Sequence, residues 1–326
     1  MKAVLVDEVS KRLVIGETAE PSPGSGELLV TVKATALNRA DLLQKRGLYP
    51  PPPGASDILG LEMSGIIEEI GPGVSGWSKG DRVCALLPGG GYAERVVIPA
   101  GMAMRIPSSF TFEQAAGVPE VFLTAYLNLF MLGGLKQGDT VLIHAGASGV
   151  GTAAVQLVRE AGAASIVTAG TEAKRKACLE LGAAHAIDYK AGPFAPIVKE
   201  QTGGKGADII MDFIGASYWE QNLASLAVDG RLLLIGMLGG AKVPEVNLGV
   251  LLSRRLQVIG TALRSRSLAD KLDLTRRFAE FALPRLEDGR LDPVIDSVWD
   301  WQDVEQAHAH MEQNQNIGKI VLRVSS

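Results

Sequence analysis

One passage limits the possible folds more than any other. The apolar strand Val141-Leu142-Ile143-His144 ends on Ala145-Gly146-Ala147-Ser148-Gly149-Val150-Gly151, and the chain passes directly into the helical Thr152-Ala153-Ala154-Val155-Gln156-Leu157. A strand, a glycine turn and a helix start in that order form the fingerprint of a dinucleotide site. Backbone N–H groups and the positive end of the helix dipole meet a pyrophosphate there. The fit to G-x-G-x-x-G is imperfect, because Ser148 stands at the second glycine and brings a hydroxyl in its place. A nucleophile elbow is also a Gly-x-Ser turn between strand and helix, but it requires glycine two residues after the serine, where this chain has Val150.

The surroundings of the turn strengthen the nucleotide reading. Strand-length apolar runs at Thr140–His144, Ser165–Ala169, His185–Asp188, Asp208–Phe213, Arg231–Gly236 and Leu256–Ala262 are separated mostly by helical periodicity, as at Val150–Ala161 and Glu172–Leu181. Six strands alternating with helices predict an α/β doubly wound parallel sheet of order 3-2-1-4-5-6. Before residue 121 the chain reads as β-rich, with alternation over Glu27–Leu37 and short strands at Gly65–Ile70, Arg82–Leu86 and Glu94–Ile98. Pro50 to Pro53 remove four successive backbone donors and make Gly47–Gly54 a stiff surface loop. After residue 263 come a helix through Leu286, a helix over Gln302–Asn314 and a strand Lys319–Val324, which are expected to fold back onto the N-terminal β domain and leave the active site in the cleft between domains.

Composition excludes several classes. With 326 residues, 47% hydrophobic, 21% charged and a net charge of -4, the chain suits two globular domains and offers no basic surface for nucleic acid. Val121–Leu135, the most apolar stretch, carries Asn128 and two glycines and falls short of the roughly 20 residues of a membrane span, so it reads as a buried helix. The acidic Asp7 and Glu8 stand where a signal peptide would continue its apolar run, and a cytoplasmic location is expected. Cys84 and Cys178 lack metal-ligand spacing and read as reduced, packed thiols.

The second strand should read the nucleotide. An acidic residue at its end would hold a ribose hydroxyl and repel a 2'-phosphate, whereas this strand ends Val167-Thr168-Ala169-Gly170-Thr171. Gly170 leaves room for a phosphate, Thr171 can donate a hydrogen bond, and Lys174, Arg175 and Lys176 supply charge, favouring NADPH over NADH. Glu172 argues the other way if the strand ends a residue or two later, and the basic residues could equally be a solvated helix face. His308 and His310, two apart on a helix, point in different directions and read as part of a solvated face.

Ala36-Leu37-Asn38-Arg39-Ala40-Asp41, Gly60-Leu61-Glu62-Met63-Ser64-Gly65, Gly80-Asp81-Arg82-Val83, Ala145–Gly151 and Asn316-Ile317-Gly318-Lys319-Ile320-Val321 resemble segments of the quinone oxidoreductases of the medium-chain dehydrogenase/reductase superfamily. The likeness extends over essentially the whole chain. It is greatest to the tumour-suppressor-inducible branch, through Pro51–Ser56, Leu86–Gly91, His144–Gly146 and Ser217–Glu220, and weaker to the zeta-crystallin branch, which has a tyrosine at Leu43. The resemblance implies a GroES-like β-rich catalytic domain, 1–121 with 264–326, and a Rossmann domain, 122–263. It also implies zinc-free reduction of quinones by NADPH and a homodimer, or a tetramer. Zinc alcohol dehydrogenases of the superfamily hold catalytic metal through Cys, a His-Glu pair and a further Cys. The matching places here are Asn38, Leu61-Glu62 and Glu120, so no metal is expected.

Without a Lewis acid, a conjugated acceptor that takes hydride readily suits this chain better than an alcohol. Tyr49, on the proline loop, is expected to contact nicotinamide or quinone, or else to anchor the loop on its prolines. Asn38 would hydrogen-bond the nicotinamide amide or the acceptor oxygen, or else cap the following helix. By resemblance, Tyr189, Ile214, Gly236-Met237-Leu238, Ala262-Leu263-Arg264 and Asn316 join Ser148, Gly149, Val150 and Gly151 in the cofactor site. Reduction of enones or alkenals, and NADPH binding with a structural or sensing role, are the alternatives. The last sheet strand, Leu256–Ala262, would pair with its copy across a two-fold axis unless Pro244–Leu252 covers it.

Overall fold

The computed structural model describes every residue except Glu8, part of the acidic start noted above, and Ser326. It divides into two compact units, Met1–Leu123 with Leu263–Ser326, and Thr124–Ala262. The first unit begins with a hairpin of β1 (Lys2–Val6) and β2 (Leu13–Glu17), followed by β3 (Glu27–Ala36) and helix α1 (Arg39–Lys45). Then come β4 (Glu62–Ile70), β5 (Arg82–Leu86), β6 (Arg95–Pro99), β7 (Ala103–Arg105) and the short α2 (Phe112–Ala116). β3 is the hub because it is long and its side chains alternate between buried faces. It pairs antiparallel with β4 and also with β6. Leu28, Val30 and Val32 share a core with Met63, Ile67, Val83, Ile98 and the fully buried Tyr92.

α3 (Pro119–Tyr126) continues into a π-helical turn, Leu127–Leu132, which together account for the apolar stretch read as a buried helix. The second unit follows: β8 (Thr140–Ile143), α4 (Gly149–Glu160), β9 (Ala164–Thr168), α5 (Glu172–Glu180), β10 (His185–Ile187), α6 (Ala195–Gln201), β11 (Ala207–Asp212), α7 (Trp219–Ser225), β12 (Leu226–Leu234), α8 (Leu248–Arg254) and β13 (Gln257–Gly260). The sheet order is β10-β9-β8-β11-β12-β13, all parallel, which is the doubly wound 3-2-1-4-5-6 arrangement expected. Apolar runs without alternation, such as Val141-Leu142-Ile143, fit strands covered on both faces. Among the described residues, β13 has a strand neighbour only in β12, and its Val258 is 36% exposed. In Pro244–Leu252, the segment that would cover this edge in the alternative to pairing with a copy, Leu248 and Leu252 are exposed as well.

The chain then returns to the first unit through α9 (Leu268–Glu287), β14 (Ile295–Asp300), α10 (Val304–Glu312) and β15 (Lys319–Arg323). β15 pairs with β3, placing Val321 opposite Ala36, and β14 lies on its other side. One expectation fails here. His308 is 2% exposed and belongs to the buried face of α10 with Val304, Ala307 and Met311, so it is not part of a solvated face. His310 lies on the other side, 2.9 Å from the Asp296 carboxylate.

Candidate active site

In the second unit the expected nucleotide residues follow the carboxyl ends of successive strands. After β8 the chain turns through Ala145, held at φ +50, and the N–H of Gly146 donates to the Thr168 carbonyl at the end of β9. This turn has no room for side chains at two glycines. A Cβ on Gly146 would lie 2.6 Å from that of Val167, and one on Gly151 would lie 2.5 Å from the carbonyl oxygens of Ala145 and Gly146. Ser148 is the N-cap of α4, and its hydroxyl oxygen accepts from the Gly151 N–H at 3.1 Å. Gly149 and Val150 belong to the first turn, whose N–H groups have no intrahelical acceptor. A dinucleotide's pyrophosphate fits such a cradle: glycine where backbone must approach, and open donors at a twelve-residue helix.

The remaining candidates of this unit follow the carboxyl ends of the neighbouring strands. A Cβ on Gly170 would meet the Tyr189 phenol oxygen at 2.7 Å, so these two are neighbours at the end of β9. Thr171 caps α5 by accepting from the Lys174 N–H at 3.3 Å, which places Lys174 in the helix's first turn. Arg175 is paired with Asp188 at 2.8 Å, and Lys176 approaches Glu180 at 3.8 Å. Tyr189 is 42% exposed and packs edge-on against Tyr218. Ile214 follows β11 and Gly236 follows β12, while Met237 and Leu238 project with 65% exposure each.

Beneath these loops lies a polar chain that sequence reasoning missed. Asn222 donates from Nδ2 to the Asp212 carboxylate at 3.0 Å, so its Oδ1 faces His144 Nε2 at 2.7 Å as acceptor. His144 therefore carries its proton on Nε2, and Nδ1 accepts from the Thr168 hydroxyl at 3.0 Å. Full burial pushes the imidazole pKa down to about 4, so it is neutral. Asp212 also accepts from the N–H groups of Ile214 and Gly215. The chain thus ties together the ends of β8, β9 and β11. The signal available in sequence was a histidine directly before the glycine turn.

In the first unit, Asn38 is the N-cap of α1, but its amide faces inward. Nδ2 donates to Glu62 Oε1 at 2.9 Å and to the Ala36 carbonyl at 3.2 Å, and Oδ1 accepts from Lys319 at 2.9 Å. The Lys319 ammonium also reaches Glu62 Oε1 at 2.7 Å and the Leu37 carbonyl at 2.7 Å. Glu62 Oε2 accepts from the Glu120 N–H at 2.8 Å. Asp41 makes the capping bond to the Asn38 N–H and accepts from Gly60, and burial raises its pKa to about 6. The Tyr92 hydroxyl lies between Asp41 at 3.3 Å and His308 at 3.2 Å.

Tyr49 is half-buried, with the Arg264 guanidinium 5.3 Å from its ring centroid. Arg264, 5% exposed, donates to the Pro88 carbonyl, the Tyr49 carbonyl and Gln44 Oε1, which fixes the shape of the proline loop. Leu263 is buried beside it in sequence and Ala262 is exposed. Asn316 is half-buried and donates to the Gly318 carbonyl at 2.9 Å.

Two family models match the chain: "Alcohol dehydrogenase GroES-like domain" over residues 24–108 and "Zinc-binding dehydrogenase" over 149–280. The human synaptic vesicle membrane protein VAT-1 homolog is 33% identical, the match covering 93% of this chain and 80% of that protein. The quinone oxidoreductase-like protein 2 homolog of Nematostella vectensis is 32% identical, covering 98% and 88% respectively. The chain belongs to the medium-chain dehydrogenase/reductase superfamily. Among solved structures, mycobacterial Rv1454c complexed with NADPH superimposes on this medium-chain oxidoreductase with a TM-score of 0.88 at 31% identity, covering 99% of this chain and 100% of the other.

The zinc named in one family model finds a different chemistry here. Leu61 offers no donor atom, and the Glu62 and Asn38 oxygens already hold the Lys319 ammonium. Among the described residues, no group of three or more His, Cys, Asp or Glu side chains is arranged to hold a metal ion. Cys84 and Cys178 are free and buried. No helix among the described residues is long and apolar enough to cross a membrane.

Proposed function

We propose that this oxidoreductase transfers a hydride from NADPH to a quinone without a metal. The observation that carries the reading is the Leu61, Glu62, Asn38 and Lys319 arrangement. An enzyme oxidising an alcohol needs a positive centre on the developing alkoxide, and here the one cation of the cluster is consumed by Glu62, Asn38 and the Leu37 carbonyl. A quinone needs no such centre because its conjugated carbonyls accept hydride readily. NADPH would supply that hydride, held at the Ser148–Gly151 cradle, with Gly170, Thr171 and Lys174 toward its 2'-phosphate. Tyr189, Ile214, Gly236, Met237 and Leu238 line the same strand ends, and Tyr49, Asn38, Arg264 and Asn316 belong to the acceptor-bearing unit. Proximity and orientation then account for most of the rate.

Steady-state NADPH oxidation with benzoquinone, naphthoquinone and a panel of enones tests the reading. Turnover of quinones above enones is expected. The reverse order would make the protein an enone reductase, and saturable NADPH binding without oxidation by any acceptor would make it a binding protein. The exposed edge of β13, with Val258, Leu248 and Leu252 exposed near it in sequence, supports a dimer paired antiparallel through that strand. Sedimentation at micromolar concentration giving a 34.4 kDa monomer would refute it. The two reduced thiols support a cytoplasmic location.

A further inference from the structure

A doubly wound sheet opens a crevice where its strand order reverses, and a dinucleotide enters there, outside the carboxyl ends of the strands. In this sheet the reversal lies between β8 and β11, whose pairing ends with the His144 N–H donating to the Met211 carbonyl. Just past that point side chains join the two strand ends. We propose that His144 and Asn222 are positioning residues whose bridge to Asp212 sets the spacing of the loops on either side of the dinucleotide crevice. The proposal rests on the Ser148–Gly151 turn holding a dinucleotide, as the functional reading has it.

The bridge has one arrangement. Both Asp212 carboxylate oxygens already accept backbone N–H groups, from Ile214 at 2.8 Å and Gly215 at 3.1 Å. Asn222 must therefore turn its NH2 to Asp212, at 3.0 Å, and its Oδ1 to His144 Nε2, at 2.7 Å. His144 Nδ1 is left to accept from the Thr168 hydroxyl at 3.0 Å. Edge-on contacts with Phe194 and Tyr218, at 4.9 and 4.8 Å between centroids, hold the imidazole plane.

Each end of this chain grips backbone of the nucleotide site. The Thr168 carbonyl accepts from Gly146 in the glycine turn at 3.0 Å. Asp212 holds the loop after β11 through its carboxylate, and its backbone carbonyl accepts from Ile235 and Gly236 after β12 at 2.8 and 3.2 Å. His144, Thr168, Asp212 and Asn222 are all buried, so water does not compete for these bonds. A dinucleotide that reaches from the β9 end to the β12 end then meets loops already at a fixed spacing and pays less to order them. Its adenosine end alone, on the β9 side, does not sense the bridge.

Two substitutions of one residue separate the bridge from mere packing. His144→Gln puts an amide N–H where Nε2 stands, keeping the bond to Asn222 and losing the one to Thr168. His144→Asn puts an amide oxygen where Nδ1 stands, keeping Thr168 and losing Asn222. By fluorescence titration, NADPH should bind His144→Asn about tenfold more weakly, the net worth of one buried hydrogen bond, and His144→Gln within about threefold of wild type. Adenosine 2',5'-bisphosphate, read by displacement of NADPH, should bind both variants as it binds wild type, which also reports an intact second unit. Wild type labelled with 15N-histidine covers the case of variants that do not fold. There the Nε2–H resonance of His144, one of four histidines, should shift with NADPH and stay in place with the bisphosphate. Equal NADPH losses in the two variants, no loss in His144→Asn, an equal loss of the bisphosphate, or a wild-type resonance unmoved by NADPH overturns the inference while the nucleotide reading stands. Wild type that fails to bind NADPH at all removes that reading and this one with it.

Discussion

Replacing Lys319 by Met tests whether the ion pair at the centre of the first unit is the balanced cluster it resembles. Met keeps the apolar stem and removes the ammonium, which donates to Glu62, Asn38 and Leu37 at 2.7, 2.9 and 2.7 Å. Glu62 is 0% exposed and Lys319 3%, so water cannot replace what is lost. Breaking such a pair from one side costs about 3–5 kcal/mol. The destabilisation of Lys319→Met should therefore be about 3–5 kcal/mol, since Glu62 is left buried without its cation. Urea unfolding by tryptophan fluorescence, with parent and variant both carrying Trp219→Phe, reads it out. The remaining Trp77, Trp299 and Trp301 all lie in the first unit. Glu62→Gln combined with Lys319→Met should be more stable at pH 7 than Lys319→Met alone. A loss below 1 kcal/mol, or a double variant no more stable than Lys319→Met, would falsify the account.

Gly151→Ala brings a Cβ to 2.5 Å from two carbonyl oxygens, so the turn must open. NADPH affinity by fluorescence titration should fall at least tenfold, about 1.4 kcal/mol, and unchanged binding would remove that turn from the site. Lys174→Ala should weaken NADPH about tenfold and leave NADH unaffected if the lysine reads the 2'-phosphate; equal loss for both nucleotides shows that it does not. Burial lowers His308 to about 4, so as pH falls from 6.5 the unfolded chain takes a proton that the folded protein refuses. The stability associated with neutral His308 is complete above pH 6.5 and is lost as pH falls toward 4. His308→Gln should gain up to roughly 3 kcal/mol relative to wild type over that window, and parallel stability curves would show that His308 does not titrate in it.

The doubly wound sheet was legible in the sequence because its signals are local. Apolar runs of strand length, the helices between them and the glycine turn at Ala145–Gly151 each express the backbone rules of a few adjacent residues, and right-handed crossovers then leave few possible orders. The same holds for β3, whose alternation marks it as a strand with a buried face. Side-chain partners far apart in sequence were not legible. Two histidines two positions apart must point differently, but which one is buried depends on packing, and the core around Trp301 takes His308's side of α10. Glu62 and Glu120 stood out in the sequence only as the places where zinc ligands are missing, and Lys319 only as part of a resembling segment, with nothing to show that they meet. The pairing of β15 with β3 and the start of α3 bring them together in a setting from which water is largely excluded. The His144, Asn222 and Asp212 chain forms in the same way from β8, α7 and β11. Sequence determined the elements and the nucleotide turn because those depend on neighbours along the chain. Only tertiary structure decided which charges face one another, because a carboxyl's protonation depends on burial and on charges within a few ångströms, whatever their distance in sequence.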